Sequence, residues 1–177
     1  MATGPSRTPL RLTLLRASSL QADIQDDMGA VIAAHRCHFE ERIRSTFADS
    51  LDLDAATLHG HEQENRWDYL LGHAPSGEVI GVEPHSAKQD EISTVIAKRA
   101  AALVHLRSHL GDGKRVSKWL WVASGKVHFA DTEKAKLRLD QNGIEFVGKA
   151  IGVRHLPATS ASATPVAKKP PRKGRRR

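Results

Sequence analysis

Two apolar runs separated by a short turn fill the stretch Trp67 to Lys88, WDYLLGHAPSGEVIGVEPHSAK. No other segment restricts the fold as tightly. Arg66 to Gly72 predicts one strand. Glu78 to Val82 predicts a second, since Val79 and Val82 suit a pleated surface. The glycine-containing turn from His73 to Gly77 makes the two strands antiparallel neighbours. That pairing sets Asp68 at the head of one run and Glu83 near the end of the other, so both carboxylates meet at one end of a small sheet. Two carboxylates on rigid strands are a setting in which proteins hold Mg²⁺ against a phosphate. Proline is disfavoured inside a central strand, so the second strand is expected to stop at Glu83, with Pro84 turning the chain away.

The flanking segments predict the layers around this hairpin. From Leu20 to Asp49 the residues Ile24, Met28, Val31, Ile32, Phe39, Ile43 and Phe47 recur at helical spacing. One long amphipathic helix is expected there, or two broken near Gly29. Leu51 to Asn65 is polar and is expected to be irregular or a short helix. Asp90 opens a helix whose apolar stripe is Ile92, Val95, Ile96, Leu103, Leu106 and Leu110, with a stop at Gly111-Asp112-Gly113. Lys118 to Ala123 predicts a strand that Lys126 to Phe129 extends or pairs with. Asp131 to Asn142 predicts a helix, capped by Asp131 and stopped at Gly143. Glu145 to Val153 predicts the last strand. Strands alternating with helices imply an α/β fold, a small mixed sheet flanked by helices. The expected organisation is a leader over 1–19, one domain over 20–156, and an Ala/Ser/Pro linker with a basic tail over 157–177.

The element order, with Asp68 before Glu83 and a helix directly after, resembles the PD-(D/E)XK, or restriction-endonuclease-like, nuclease superfamily. The resemblance covers about 66–153, with the preceding long helix as the family's first helix. It implies that Asp68 is the metal-binding aspartate and Glu83 the acid of the (D/E)-x-K motif. Pro84 would be the x residue, whose carbonyl completes the metal shell. His85 stands where the motif lysine is expected. A histidine is mostly uncharged near neutrality, so it can act as a general base or a metal ligand but not as a permanent cation. Lys88, or Lys98 two turns into the following helix, is the alternative source of that charge. The implied cofactor is Mg²⁺ or Mn²⁺, and the implied activity is hydrolysis of phosphodiester bonds, with Asp68, Glu83, His85 and Lys88 as the catalytic group. A homodimer is a further implication, because many members of this family pair to cut two strands. The alternative is a degenerate member of the same fold that binds nucleic acid or protein and no longer cuts. A third class, an adaptor docking its basic tail on an acidic partner, stays open beside these.

The net charge of +7 has one source. Lys168, Lys169, Arg172, Lys173, Arg175, Arg176 and Arg177 crowd the last residues, KKPPRKGRRR, without an acid among them. The rest of the chain carries equal numbers of basic and acidic residues. The high isoelectric point therefore belongs to the tail, which suits attraction to a nucleic-acid backbone without sequence preference. DNA is favoured over RNA as the partner. No apolar run approaches the length of a membrane helix, and a cytoplasmic protein is expected. Arginines interrupt the apolar stretch at the amino terminus, which argues against a secretory signal.

The remaining features carry less. Cys37 excludes an internal disulfide and is expected to be a small buried hydrophobe. His35 and His38 share a helix face, but lack an HExxH pattern or an evident third ligand. His59 and His61 fall in a polar loop. Glu40 or Glu41 would be the further acid that helices of this family often supply, although adjacent glutamates usually mark a solvated face. Trp119 and Trp121 share one strand face, expected to be a buried aromatic layer under a helix. No phosphate loop, dinucleotide fingerprint or nucleophile elbow is present.

Overall fold

A computed structural model describes residues 7–127 and 133–159, with the side chain of Glu133 left undescribed. The basic tail from Lys168 to Arg177, and the expected roles of Phe129 and Asp131, lie outside the described residues. The hairpin forms as its turn chemistry dictates. Strand β3 (Tyr69–His73) pairs antiparallel with β4 (Glu78–Ala87), with Tyr69 opposite Val82 and His73 opposite Glu78. Gly77 closes the turn at φ 71°, a left-handed conformation that glycine adopts without a Cβ clash, and its N–H donates to the His73 carbonyl at 2.9 Å.

The two strands sit in the middle of one six-stranded mixed sheet. Strands β1 (Gln25–Asp26), β2 (Phe47–Asp52), β3 and β4 run as antiparallel neighbours. Helix α5 (Glu91–Leu106) then carries the chain to β5 (Val116–Val127), which lies parallel to β4. Helix α6 (Glu133–Gln141) leads to β6 (Glu145–Phe146), parallel to β5. The short helices α1 (Pro9–Thr13), α2 (Ala33–Arg36), α3 (Glu41–Arg44) and α4 (Leu53–Ala56) complete the set.

Strand alternation divides the core into two layers. On one face, Trp67, Val79, Trp119 and Trp121 pack under Ile92, Val95, Ala102 and Leu106 of α5, with Leu10 and Leu14 beside them. On the other, Tyr69, Leu71, Ile80, Val82, Leu120 and Val122 meet Val31, Phe39, Ile43, Phe47 and Ile151. Trp119 and Trp121 thus form the expected buried layer. Gly81 permits it: a Cβ there would lie 2.6 Å from Trp119 Cε3 and 3.1 Å from Trp67 Nε1.

Several expectations are corrected. The long helix over 20–49 does not form. A 3₁₀ turn (Ser19–Asp23), β1, α2, α3 and β2 occupy that span. Its apolar residues satisfy the core from irregular backbone, and the Asp27 backbone turns at φ 51° while its N–H reaches the Ala48 carbonyl at 3.0 Å. Phe47 to Asp52 is taken as a strand because β3 needs a partner on that edge. Residues 7–19, assigned to a leader by composition, contribute α1 with Leu10 fully buried. Strand β4 runs through Pro84, opposite Val122, to Ala87. Its pairing with β3 has ended at Val82, so the edge without a neighbour tolerates a residue lacking an N–H. Helix α5 ends at Leu106, short of the Gly-Asp-Gly stop, and Leu110 forms a bridge to Leu14. The last strand shrinks to two residues. Cys37 is exposed, with its thiol against the Ala34 carbonyl at 3.1 Å. No helix among the described residues is long and apolar enough to cross a membrane.

Candidate active site

Asp68 and Glu83 do come together. Asp68 immediately precedes β3, and its carbonyl accepts from Leu53 N at 2.8 Å, which ties the strand end to the start of α4. Glu83 faces the α5 side of β4 and is completely buried. One carboxylate oxygen of Glu83, Oε2, accepts from the Asp68 backbone N–H at 2.9 Å. The other, Oε1, accepts from Lys98 Nζ, and the same ammonium reaches Asp68 Oδ1 at 3.5 Å. Lys98 rises from the middle of α5, above the end of the hairpin. The side chains of Asp68 and Lys98 remain 21% and 16% exposed, so the cluster opens to solvent on the Asp68 side while Glu83 closes it from below.

Burial dominates the electrostatics. It pushes the Glu83 carboxyl up to about 8; the negative Asp68 adds to that shift and Lys98 opposes it. For Lys98, burial disfavours the charged form, but Glu83 and Asp68 outweigh it and the net shift is upward. Two acids and one ammonium leave a net negative charge when all are ionised. Asp52, the last residue of β2, adds to this field. Its carboxyl is raised by desolvation first, and the nearby Asp54 and Asp68 charges also raise it, against a bond from Ala55 N that lowers it. Asp54 is paired with Arg66 at 2.9 Å.

His85 lies two residues along β4 on the same face as Glu83. Its Nδ1 is 3.5 Å from Glu83 Oε1, and its Nε2 is 2.9 Å from Glu91 Oε2 at the start of α5. Ser86 Oγ donates to the other Glu91 oxygen at 3.1 Å. The histidine is held between two glutamates, an arrangement that fixes the orientation of the imidazole. Lys88 is exposed beyond the end of β4; the lysine that touches both acids is Lys98. Pro84 is buried inside β4. Glu40 pairs with Arg42 at 2.7 Å and packs against Gly152. Its neighbour Glu41 opens α3. His35 Nδ1 contacts the Tyr69 hydroxyl at 2.9 Å.

Asp68 and Glu83 are the residues of this cluster that could hold a hard divalent ion. Asp68, just ahead of β3, and Glu83 of β4 offer the carboxylate oxygens, and the wholly buried Glu83 faces the Lys98 ammonium, the Asp68 backbone N–H and, at 3.5 Å, His85 Nδ1. Sequence reasoning missed Asp52 and Glu91. Both stand at helix starts, where an acid reads as a cap or first-turn charge, and Asp52 does accept from Ala55 N at 2.8 Å. Comparison with known protein families, curated proteins and solved structures returned no match.

Proposed function

We propose that the protein is a metal-dependent nuclease with a restriction-endonuclease-like core, hydrolysing phosphodiester bonds in nucleic acid, DNA ahead of RNA. The observation that carries this reading is the convergence of Asp68, Glu83 and Lys98. A three-stranded antiparallel meander, a helix and a parallel strand position the three groups. The positive charge expected one residue past Pro84 is supplied from α5 instead, so His85 need not be a cation.

In this reading Asp68 and Glu83, with the Pro84 carbonyl, would hold Mg²⁺ or Mn²⁺. Such an ion, when bound, polarises a phosphoryl oxygen and lowers the pKa of its water. The protein's own groups do the rest. Lys98 is set to stabilise charge developing on the phosphate. His85, held by Glu91, accepts a proton from the attacking water. Lys88, at the surface, contributes to binding the strand. The tail from Lys168 to Arg177 adds attraction to the backbone.

The test is cleavage of a DNA duplex and a single strand by the purified full-length chain with Mg²⁺ or Mn²⁺. Asp68→Ala and Glu83→Ala each lower the rate at least about 10²-fold, the loss typical of removing one group that stabilises transition-state charge, with an unchanged circular dichroism spectrum. Lys98→Arg retains more activity than Lys98→Met. Undiminished cleavage by the Asp68→Ala, Glu83→Ala double variant refutes the proposal.

One observation favours a second reading, a non-catalytic member of the same fold that binds nucleic acid or protein. Lys98 already contacts both acids, so the cluster is a satisfied ion pair without a metal. Calorimetry separates the two: this version takes up no Mg²⁺ at millimolar concentration.

A further inference from the structure

A second cluster lies on the outer side of α5, where the loop between α4 and β3 folds against the helix. His61 and Glu64 come from that loop and His105 from the last turn of α5. Glu64 Oε1 is 2.9 Å from His61 Nδ1, and its Oε2 is 2.8 Å from His105 Nε2. The imidazoles meet edge to face with ring centroids 4.4 Å apart. One ligand atom from each of the three residues can be chosen so that all lie within 4.8 Å of one another.

From this geometry we infer that His61, Glu64 and His105 bind a zinc-class divalent ion that staples the loop to α5. Two imidazole nitrogens and one carboxylate are the protein donor set of many open zinc sites, and imidazole selects this class over Mg²⁺. Each histidine coordinates as the neutral tautomer with its proton on the nitrogen away from the ion. Three protein donors leave a fourth position for water. The cluster borders a groove of about 550 Å³, lined also by Val104 and His109, so that position is open to solvent. The loop is already wound to present its ligands together. Glu64 N donates to the His61 carbonyl at 3.0 Å, and Arg66 Nη1 donates to the same carbonyl at 2.6 Å. Otherwise the segment is polar and largely exposed, and a metal clip offsets the entropy of ordering it. The same segment runs through Arg66 and Trp67 into Asp68, so the ion would fix the approach of the strand that carries the first acid.

The test uses tag-free, full-length protein stripped with a chelator, then titrated with Zn²⁺ by calorimetry and with Co²⁺ by visible absorption. The expected result is one ion per chain, a ligand-field spectrum of a low-coordinate site, and a higher Tm with Zn²⁺. His61→Ala and His105→Ala each weaken binding by more than the roughly 10–100-fold that an outer-shell change costs. Glu64→Gln, which keeps a hydrogen-bonding amide, does the same. His35→Ala and the Asp68→Ala, Glu83→Ala double variant leave binding intact, so the outcome is independent of nuclease activity. Absence of stoichiometric uptake, or uptake unchanged in His105→Ala, overturns the inference.

Discussion

At the scale of single residues, Glu83 sets the character of the site. A carboxylate taken wholly out of water is disfavoured, and here the Lys98 ammonium, the Asp68 backbone N–H and His85 Nδ1 at 3.5 Å are the groups that face it. Its carboxyl therefore moves from 4.5 up to about 8, driven by burial and then by Asp68. The sign follows from proton binding. A group that holds its proton more tightly in the folded state stabilises the fold fully below its unfolded value, near 4.5, and loses that stabilisation as pH climbs through about 8. Glu83→Gln keeps the shape and removes the titration. In metal-free buffer its Tm should gain on that of the native chain as pH rises through this window, by roughly 2–4 °C for each kcal/mol. Thermal unfolding of both proteins across that range checks this, and a Tm difference independent of pH refutes it. Metal binding would act the other way, favouring the ionised carboxylate and lowering its apparent pKa.

At the scale of elements, a buried acid far from the site holds the amino-terminal segment to the sheet. Asp49 of β2 is fully buried and accepts from Leu10 N at 3.2 and 3.1 Å and from Arg11 N at 3.1 Å. These are the unpaired donors at the start of α1, a five-residue helix too short to persist alone. Asp49→Ala removes the acceptor and strands buried N–H groups. It should lower the unfolding free energy by about 3 kcal/mol, the upper end for hydrogen bonds to a charged group, and Asp49→Asn by less. Urea denaturation measures both, and a loss near zero for the alanine variant would detach α1 from the cooperative fold. The sequence could not disclose this contact, because Asp49 pairs with backbone 39 positions away. The same limit explains the vanished long helix. Ile24, Met28, Val31, Phe39 and Ile43 repeat as a helix would, yet most of them reach the core from turns and one-turn helices. The hairpin, α5, β5 and α6 were legible because their patterns are local: alternation, a glycine turn, a stripe with a stop. Asp68 and Glu83 were legible for the same reason: the turn pairs their strands and sets Asp68, just ahead of β3, beside Glu83 of β4. Between Lys88 and Lys98 the sequence was silent, since only the crossing of α5 over β4 decides which ammonium arrives.

At the scale of the whole molecule, charge is partitioned between a balanced body and a cationic carboxyl end. The seven basic residues from Lys168 to Arg177 account for the entire net charge of +7, so the rest of the chain offers no excess field to draw a polyanion. Under the proposed function, attraction to nucleic acid would come mostly from the tail, while Asp68, Glu83 and Lys98 stay with the body. The two contributions separate by their salt dependence. Each phosphate neutralised by a lysine or arginine steepens the log–log fall of affinity with salt by about 0.9 on duplex DNA and about 0.7 on a single strand. Deleting residues 168–177 should therefore flatten the slope by up to about 6 on duplex, weaken binding most at low salt, and leave the rate at saturating substrate unchanged. Fluorescence anisotropy over a salt series, paired with single-turnover cleavage, measures both quantities. An unchanged slope removes the tail from the interface. A fall in the saturated rate places its charges at the reacting phosphate, a task the proposed function gives to Lys98.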